Sequence, residues 1–295
     1  MILAAGQGTR LLPLTHSLPK PLFPVLNVPL LGRLVRQLDV AGFRLIVVNC
    51  FHLAPLVLEA ARTWKTSAEL VVIAEPVLLG TGGALWNARH RFHPGEPVLV
   101  INGDVVTDLD PCMVLRCHPR GRVLVTMVMH DRIPWNNVAV EGERVTGFAC
   151  ADRDALAFTG ISVLEPEFFQ YIPAGMPSSL VDALRRVLVA QHEIMALRAD
   201  TIGDGYVWED IGTPLGYLTA HQVLLGRTGH RCIVGSGSIF PGDLVQDDWV
   251  CIGRDVRLGA GVTLGRTVIW DGTCIPDRSV LHDRIVTPFG QVGLS

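Results

Sequence analysis

Gly6, Gly8, Arg10 and Lys20 open the chain with residue types and spacing that could do chemistry. Glycines let a backbone come close to a ligand and turn its N–H groups toward anionic oxygens. Arg10 lies two residues past the second glycine, and Lys20 is braced between Pro19 and Pro21. Two cations beside a glycine loop make a cradle for phosphate. The apolar run Met1 to Ala5 predicts a buried strand, which puts the cradle at the carboxyl end of the first strand of an α/β sheet. A second glycine loop, Gly80-Thr81-Gly82-Gly83, lies farther along the chain, and Asp104 stands just past another apolar run, after Asn102-Gly103. A carboxylate in that position is either a ligand for a hard cation such as Mg²⁺ or a plain helix cap. The loop at residues 80–83 is either a ligand loop or a helix N-terminus that needs glycine to turn.

The elements that must position these residues alternate. Residues 29–41 carry Leu30, Leu31, Leu34, Val35 and Leu38 on one helical stripe, with Gly42 as a stop. Residues 45–48, 70–74 and 97–101 read as buried strands, and 55–64 and 81–91 as helices. Strands alternating with helices imply a mostly parallel sheet with helices on both faces. After Asp110 the pattern changes. Residues 122–129 and 158–164 read as strands, and 138–140 with 144–148 as a hairpin across Glu141-Gly142-Glu143. Residues 180–190 and 214–225 read as helices, and 226–231 as a linker.

Beyond residue 232 the texture differs again. Ile233, Ile239, Val245, Cys251, Val256 or Arg257, Val262 and Val268 recur about every six residues, with glycines between them. This resembles the hexapeptide repeat of left-handed β-helices, three units to a coil, so residues 232–287 make about three coils. The expected domains are 1–226 and 232–295. Trp249 and Trp270 mark a packed face of the second domain, against the first domain or another subunit.

Composition narrows the class. Apolar residues make up 49% of the 295 and charged residues 18%, ample for a core. No apolar run approaches the ~18 residues of a membrane span. No basic segment followed by a long apolar stretch opens the chain, which predicts no signal peptide. The net charge of −3 with no basic tract argues against nucleic acid as a partner. Seven scattered cysteines with no C-x-x-C pair predict free thiols in a reducing cytoplasm. Cys112, Cys117 and His118 suggest metal, but no second ligand pair follows, so the favoured reading is a helix carrying two half-buried thiols.

Leu3 to Leu22, reading LAAGQGTRLLPLTHSLPKPL, resembles the signature of the sugar-1-phosphate nucleotidyltransferases at nearly every fixed position. Trp208-Glu209-Asp210-Ile211-Gly212-Thr213 resembles the family's W-x-D-x-G-T segment. Residues 79–85 resemble its L-G-T-A-G-A-L loop, with Gly82 in place of alanine. The resemblance implies a Rossmann-like, GT-A-like mixed sheet and transfer of a nucleotidyl group from an NTP to a sugar 1-phosphate, releasing pyrophosphate. It implies Mg²⁺ on Asp104 and Asp210, and Arg10 and Lys20 on the phosphates. Nucleotide contacts fall to Leu3, Ala4, Ala5, Gly6, Gly8, Thr9, Arg10, Lys20, Gly80, Thr81 and Gly82, and sugar contacts to Asn137, Thr159 and Gly160. Members of the family usually carry a few residues before the first strand, which here begins at residue 1.

The family's E-K-P after the hairpin is missing, so its phosphate lysine is not transferred; Arg153 is a candidate substitute, and Lys20 is expected to serve both phosphates. No glutamine lies between Gly80 and Leu85, which leans toward guanine. GTP with mannose 1-phosphate is the expected pair. The alternatives are uridylyl or other transfer to an N-acetylmuramate, glucose or heptose type of sugar 1-phosphate, or a non-catalytic regulatory subunit that binds nucleotide-sugars. A dinucleotide-binding Rossmann enzyme would need a third glycine where Leu11 stands, and no G-x-x-x-x-G-K-[ST] occurs for a P-loop. His230 and His282 could serve a second, acyl-transferring site in the coils, but packing, allosteric control or homo-oligomer formation fits so short a repeat better.

Overall fold

The computed structural model describes residues 1–150 and 154–294. The chain forms two compact units, Met1–Gly6 with Leu34–Trp208, and Gln7–Arg33 with Glu209–Ser295.

The first unit is built on a nine-stranded sheet. Its strands in chain order are β1 (Ile2–Leu3), β2 (Leu45–Cys50), β3 (Glu69–Ala74), β4 (Val98–Asn102), β5 (Val125–His130), β6 (Val138–Glu141), β7 (Arg144–Phe148), β8 (Ala157–Leu164) and β9 (Ile194–Arg198). Their order across the sheet is β3-β2-β1-β4-β8-β5-β9-β7-β6. The pairs on the β3 side of β4 are parallel, as is β5 with β9. β8 runs antiparallel between β4 and β5, and the β6–β7 hairpin joins β9 antiparallel. The sheet is therefore evenly mixed where alternation predicts mostly parallel. The parallel rule holds only while each strand is followed by a crossover helix, and that pattern stops after Asp110.

The helices are α1 (Leu30–Val40), α2 (Ala54–Thr63), α3 (Gly80–Ala88), α4 (Pro111–Cys117) and α5 (Leu180–Val189). The last shows why these segments fold. Ser179 caps it by accepting from the Val181 N–H, and Asp182 sits in its first turn, where the helix dipole favours a negative charge. Leu180, Ala183, Leu184 and Val187 form one stripe, buried with Val125, Met127, Val145 and Ile194 of the sheet. Each large apolar side chain so buried contributes about 1.5–3 kcal/mol. α4 carries Cys112 and Cys117 half-buried, capped by Asp110. His118 at its end is buried, with Nδ1 2.8 Å from Thr126 Oγ1 and Nε2 3.1 Å from Glu165 Oε1.

In the second unit α6 runs Pro214–Thr228 and ends on Gly229 at φ 71. The expected linker thus begins three residues late: Gly226 stays helical, and Gly229 supplies the left-handed stop. Parallel strands follow: β10 (Cys232–Val234), β11 (Val245–Gln246), β12 (Val250–Ile252), β13 (Arg257–Leu258), β14 (Thr263–Ile269), β15 (Cys274–Ile275) and β16 (Val280–Thr287), with β17 (Gly290–Gly293) antiparallel at the end. Pairings link residues 17 or 18 apart, in three columns. Cys232 faces Val250, which faces Thr267, which faces Arg284; Arg257 faces Cys274; Val245 faces Thr263, which faces Val280.

Of the residues in the six-residue rhythm, Val256 and Val262 lie in the packed interior, whereas Cys251 and Val268 stand one residue from the interior positions Val250 and Ile269. Leu244, Val250, Val256, Val262, Ile269, Ile275 and Leu281 pack together inside the coils. Ile239 and Val245 are exposed. Cys251, Val268 and Ile285 are buried without joining that inner cluster, because adjacent residues of a strand face opposite ways. What covers their side of the coils belongs to the same unit. Trp270 packs edge-to-face on Phe23 at 4.8 Å, and Trp249 stacks on His221 of α6.

Candidate active site

The candidate residues divide between the units, with Gly8, Thr9, Arg10, Lys20 and Asp210 in the second. Gly8 adopts φ 66, and a side chain there would strike Thr15 Cγ2 at 2.8 Å. The turn it opens continues into short 3₁₀ segments at Thr9–Leu11 and Lys20–Leu22. Thr9 and Arg10 are exposed, whereas Lys20 is buried. The Lys20 Nζ lies 3.6 Å from Asp210 Oδ1, and Arg10 Nη2 lies 4.0 Å from Asp210 Oδ2.

Asp210 is held by its own segment. Its Oδ1 accepts from the Gly212 N–H at 2.6 Å. Thr213 caps α6 through the Gly216 N–H. A side chain at Gly216 would sit 2.1 Å from the Asp210 carbonyl oxygen, and one at Gly212 would sit 2.5 Å from Arg10 Nη2. Both glycines therefore exist to let the helix start and the arginine close on the carboxylate. The result is two cations within 4 Å of one carboxylate, an array that can take up phosphate oxygens by charge-assisted hydrogen bonds.

In the first unit β1 runs out through Ala4 and Ala5, both buried, to the exposed Gly6. The Ala4 N–H donates to Asn49 Oδ1, Asn49 Nδ2 donates to Glu75 Oε1, and the Leu79 N–H donates to Glu75 Oε2. This buried chain ties the end of β1 to the entry of the second glycine loop. Neither Asn49 nor Glu75 is among the candidate site residues that the sequence motifs single out. The signal was there: an asparagine inside the apolar run of β2 must find buried partners. Cys50 beside it has its thiol pushed up to about 11 by burial, with Glu75 adding to the effect, so it stays protonated and unreactive.

Gly103 donates its N–H to the Leu3 carbonyl, and a side chain there would meet Ala4 at 2.9 Å. That close approach brings the half-buried Asp104 beside the end of β1. Gly80, at φ 70, and Gly82 leave no room for side chains against Ser178 and Ser179. The Gly82 N–H donates to the Ser178 carbonyl, and Thr81 Oγ1 accepts from the Leu180 N–H. These groups dock α3 against the start of α5; Gly80 and Thr81 keep exposed surface, while Gly82 is buried.

Of the three residues expected at the sugar, Thr159 and Gly160 lie in the first half of β8 and Asn137 lies beside that strand. Gly160 adopts φ 81, and a side chain there would strike Asn102 at 2.7 Å, within a break in the β8–β5 register. Thr159 is fully buried, its hydroxyl donating to the Val128 carbonyl and its carbonyl accepting from Trp208 Nε1. Asn137 is exposed and bonds through its backbone to Leu156 and Cys150. Behind this bulge His130 is buried edge-to-face against Trp208 at 4.4 Å, with its pKa pushed down to about 4 by burial. Arg153 lies outside the described residues.

The sequence model of the Nucleotidyl transferase family matches residues 1–226, more than three quarters of the chain. The chain belongs to this family, the sugar-1-phosphate nucleotidyltransferases. A mannose-1-phosphate guanylyltransferase of Mycobacterium tuberculosis is 28% identical over 96% of this chain and 82% of the relative. An N-acetylmuramate alpha-1-phosphate uridylyltransferase of Neisseria meningitidis is 31% identical over 72% of this chain and 92% of the relative. The crystal structure of HddC from Yersinia pseudotuberculosis complexed with GMP-PN shares the fold, with a TM-score of 0.63 and 22% identity over 76% of this chain and 97% of that one. The transferase is thus an enzyme of nucleotidyl transfer to sugar 1-phosphates.

No group of three or more His, Cys, Asp or Glu side chains stands together among the described residues. A divalent cation in this transferase would draw most of its shell from water and phosphate, the usual arrangement for Mg²⁺. In the first unit the half-buried carboxylate of Asp104, and in the second that of Asp210, are hard oxygen donors of the kind such a cation takes. No helix among the described residues is long and apolar enough to cross a membrane.

Proposed function

We propose that the transferase joins GTP and mannose 1-phosphate to give GDP-mannose and pyrophosphate. The observation that carries the reaction chemistry is the Arg10–Asp210–Lys20 array, two cations held on one carboxylate. The choice of base and sugar rests on the absence of glutamine between Gly80 and Leu85, and on a guanylyltransferase relative that spans 96% of the chain, including residues beyond 226.

A sugar-phosphate oxygen attacks the α-phosphorus of the nucleotide in line; the new P–O bond forms as the bond to the leaving pyrophosphate breaks. The attacking oxygen is already anionic, so no general base is required. The task is to hold two anions together and stabilise spread negative charge, which positioning and electrostatics accomplish. Arg10, exposed, neutralises the leaving pyrophosphate. Lys20, buried and fixed, bridges the α-phosphate and the sugar phosphate. Leu3 to Gly6, Gly8, Thr9, Gly80, Thr81 and Gly82 line the nucleotide, and Asn137, Thr159 and Gly160 the sugar, with Thr159 acting through its backbone. Asp104 and Asp210 would hold Mg²⁺, which when bound supplies further charge neutralisation on phosphate.

Residues 1–226 form the catalytic domain in this reading, and residues 232–295 a short left-handed β-helix that could join copies of the chain. The seven free thiols suit a reducing cytoplasm. A second reading is uridylyl transfer to N-acetylmuramate 1-phosphate, favoured by the relative at 31% identity. Pyrophosphate release, measured for five NTPs against a panel of sugar 1-phosphates, separates the two. GTP with mannose 1-phosphate should lead. A lead for UTP with N-acetylmuramate 1-phosphate selects the second reading, and nucleotide-sugar binding with no turnover for any pair overturns both in favour of a regulatory subunit.

A further inference from the structure

Four residues after Lys20 the chain makes a tight hairpin, Pro24–Val25 against Val28–Pro29. Its turn residues Leu26 and Asn27 have φ of 48° and 61°. Asparagine tolerates that region, but a leucine there is strained and persists only when its surroundings hold it. The grip is visible. The Leu26 N–H donates to His221 Nε2, Asn27 Nδ2 donates to the Ile252 carbonyl at 2.7 Å, and Cys251 Sγ donates to Asn27 Oδ1. Two of these three partners belong to the coils and one to α6.

A second chain of contacts reaches the same hairpin. Trp270, from the coils, donates its Nε1–H to the Tyr217 hydroxyl at 3.1 Å, and that hydroxyl donates to the Pro24 carbonyl. Tyr217 and Phe23 are both fully buried, edge-to-face at 5.7 Å. Tyr217 stands seven residues after Asp210, on the first turn of α6. One phenol therefore spans the segment that carries Lys20 and the segment that carries Asp210.

We infer that the coils are a brace for the reaction centre, in which Trp270 and Tyr217 are positioning residues that set Lys20 against Asp210. The role explains why residues 7–33 cluster with the coils and not with the sheet. It also uses the buried outer side of the coils, which neither an acyl-transferring site nor a subunit contact requires. The inference rests on Lys20 handling phosphate, and its test is chosen to read Lys20 directly.

The test is the rate at which an amine-acylating reagent labels Lys20 in the free, full-length protein, followed by peptide mass spectrometry at a temperature where circular dichroism is native. Tyr217→Phe deletes both hydroxyl contacts, and Trp270→Phe deletes one while keeping a ring on Phe23. Val262→Ala opens a cavity in the coils' own core and removes none of the hydrogen bonds or ring contacts named above. Both Phe variants should label Lys20 at least about threefold faster, as a local opening would allow, and Val262→Ala should match the wild type. Transfer should fall about ten- to a hundredfold in kcat/KM in the Phe variants, with no further fall when either is combined with Lys20→Ala. Unchanged labelling in the Phe variants, or equal acceleration by Val262→Ala, overturns the brace. Should Tyr217→Phe fail to fold, Trp270→Phe decides alone. Faster labelling with unchanged transfer would keep the brace and instead overturn the role of Lys20.

Discussion

The Lys20 ammonium lies 3.6 Å from the Asp210 carboxylate, and the lysine side chain is only 8% exposed while that of Arg10, on the other oxygen, is 62% exposed. The two cations therefore differ in kind. The Arg10 contact is long and screened, worth little to stability. The Lys20 contact holds a charge inside protein, where its partners matter. Lys20→Ala is expected to damage the use of nucleotide and sugar phosphate together, with kcat falling by two or more orders of magnitude, on the order of an oxyanion-stabilising donor. Initial rates with each substrate varied in turn check this. A rise in the KM for NTP alone would mean that another basic residue holds the sugar phosphate.

Asp104 sits beyond Gly103, whose backbone is pressed against Leu3 and Ala4. Asp104→Asn keeps the shape and removes the charge. Pyrophosphate release across a Mg²⁺ titration is expected to lose most turnover, with the melting temperature within a few degrees of wild type. Near-normal rates at saturating Mg²⁺ would remove Asp104 from the metal.

Gly212 and Gly216 flank the same carboxylate but predict opposite outcomes. A methyl at Gly212 meets two side-chain ends, Arg10 Nη2 at 2.5 Å and Asp210 Oδ1 at 2.8 Å, both of which can turn aside. Gly212→Ala should cost less than about 1 kcal/mol of stability, because only side-chain ends have to move, while transfer falls about tenfold or more as Arg10 and Asp210 part. A methyl at Gly216 meets the Asp210 carbonyl at 2.1 Å, which is backbone and cannot swing. Gly216→Ala should cost about 1–3 kcal/mol, as overpacking does. Thermal melts and initial rates on both variants test the contrast; equal stabilities would refute it.

The phosphate segment was legible because its chemistry is local: Gly8, Arg10 and Lys20 lie within thirteen residues, and the steric reason for Gly8 is the nearby Thr15 and Lys20. The hexad spacing was equally legible; it met the packed interior at Val256 and Val262 and fell one residue away from it at Cys251 and Val268. Alternating strand side chains bury Cys251 and Val268 against the outer cover as thoroughly as Val250 and Ile269 inside, so hydrophobicity alone does not choose between neighbours. β9 was missed because Ile194-Met-Ala-Leu-Arg198 has neither the alternation nor the β-branched content of a strand signal. The contacts of Tyr217 with Pro24 and Trp270 join residues 193 and 53 positions apart, and nothing local to any of the three announces the others.

His221 and His130 predict how stability responds to acid. Burial pushes both imidazoles down to about 4, well under the ordinary value near 6.5. The folded state therefore keeps both rings neutral where the unfolded chain would protonate them. Below about pH 6.5 the unfolded state binds more protons, so stability falls as pH drops from 6.5 toward 4 and is flat, for these groups, above 6.5. Between pH 6.5 and 5 each ring accounts for about 2 kcal/mol, at about 1.4 kcal/mol per pKa unit. His221 Nε2 must stay deprotonated to accept the Leu26 N–H, so acid should also loosen the hairpin after Lys20. His221→Asn removes the titrating group. The variant is expected to be less stable at pH 7, but its urea midpoint should fall less steeply between pH 6.5 and 5 than that of the wild type. Parallel slopes in that window would show that His221 is not neutral in the folded state.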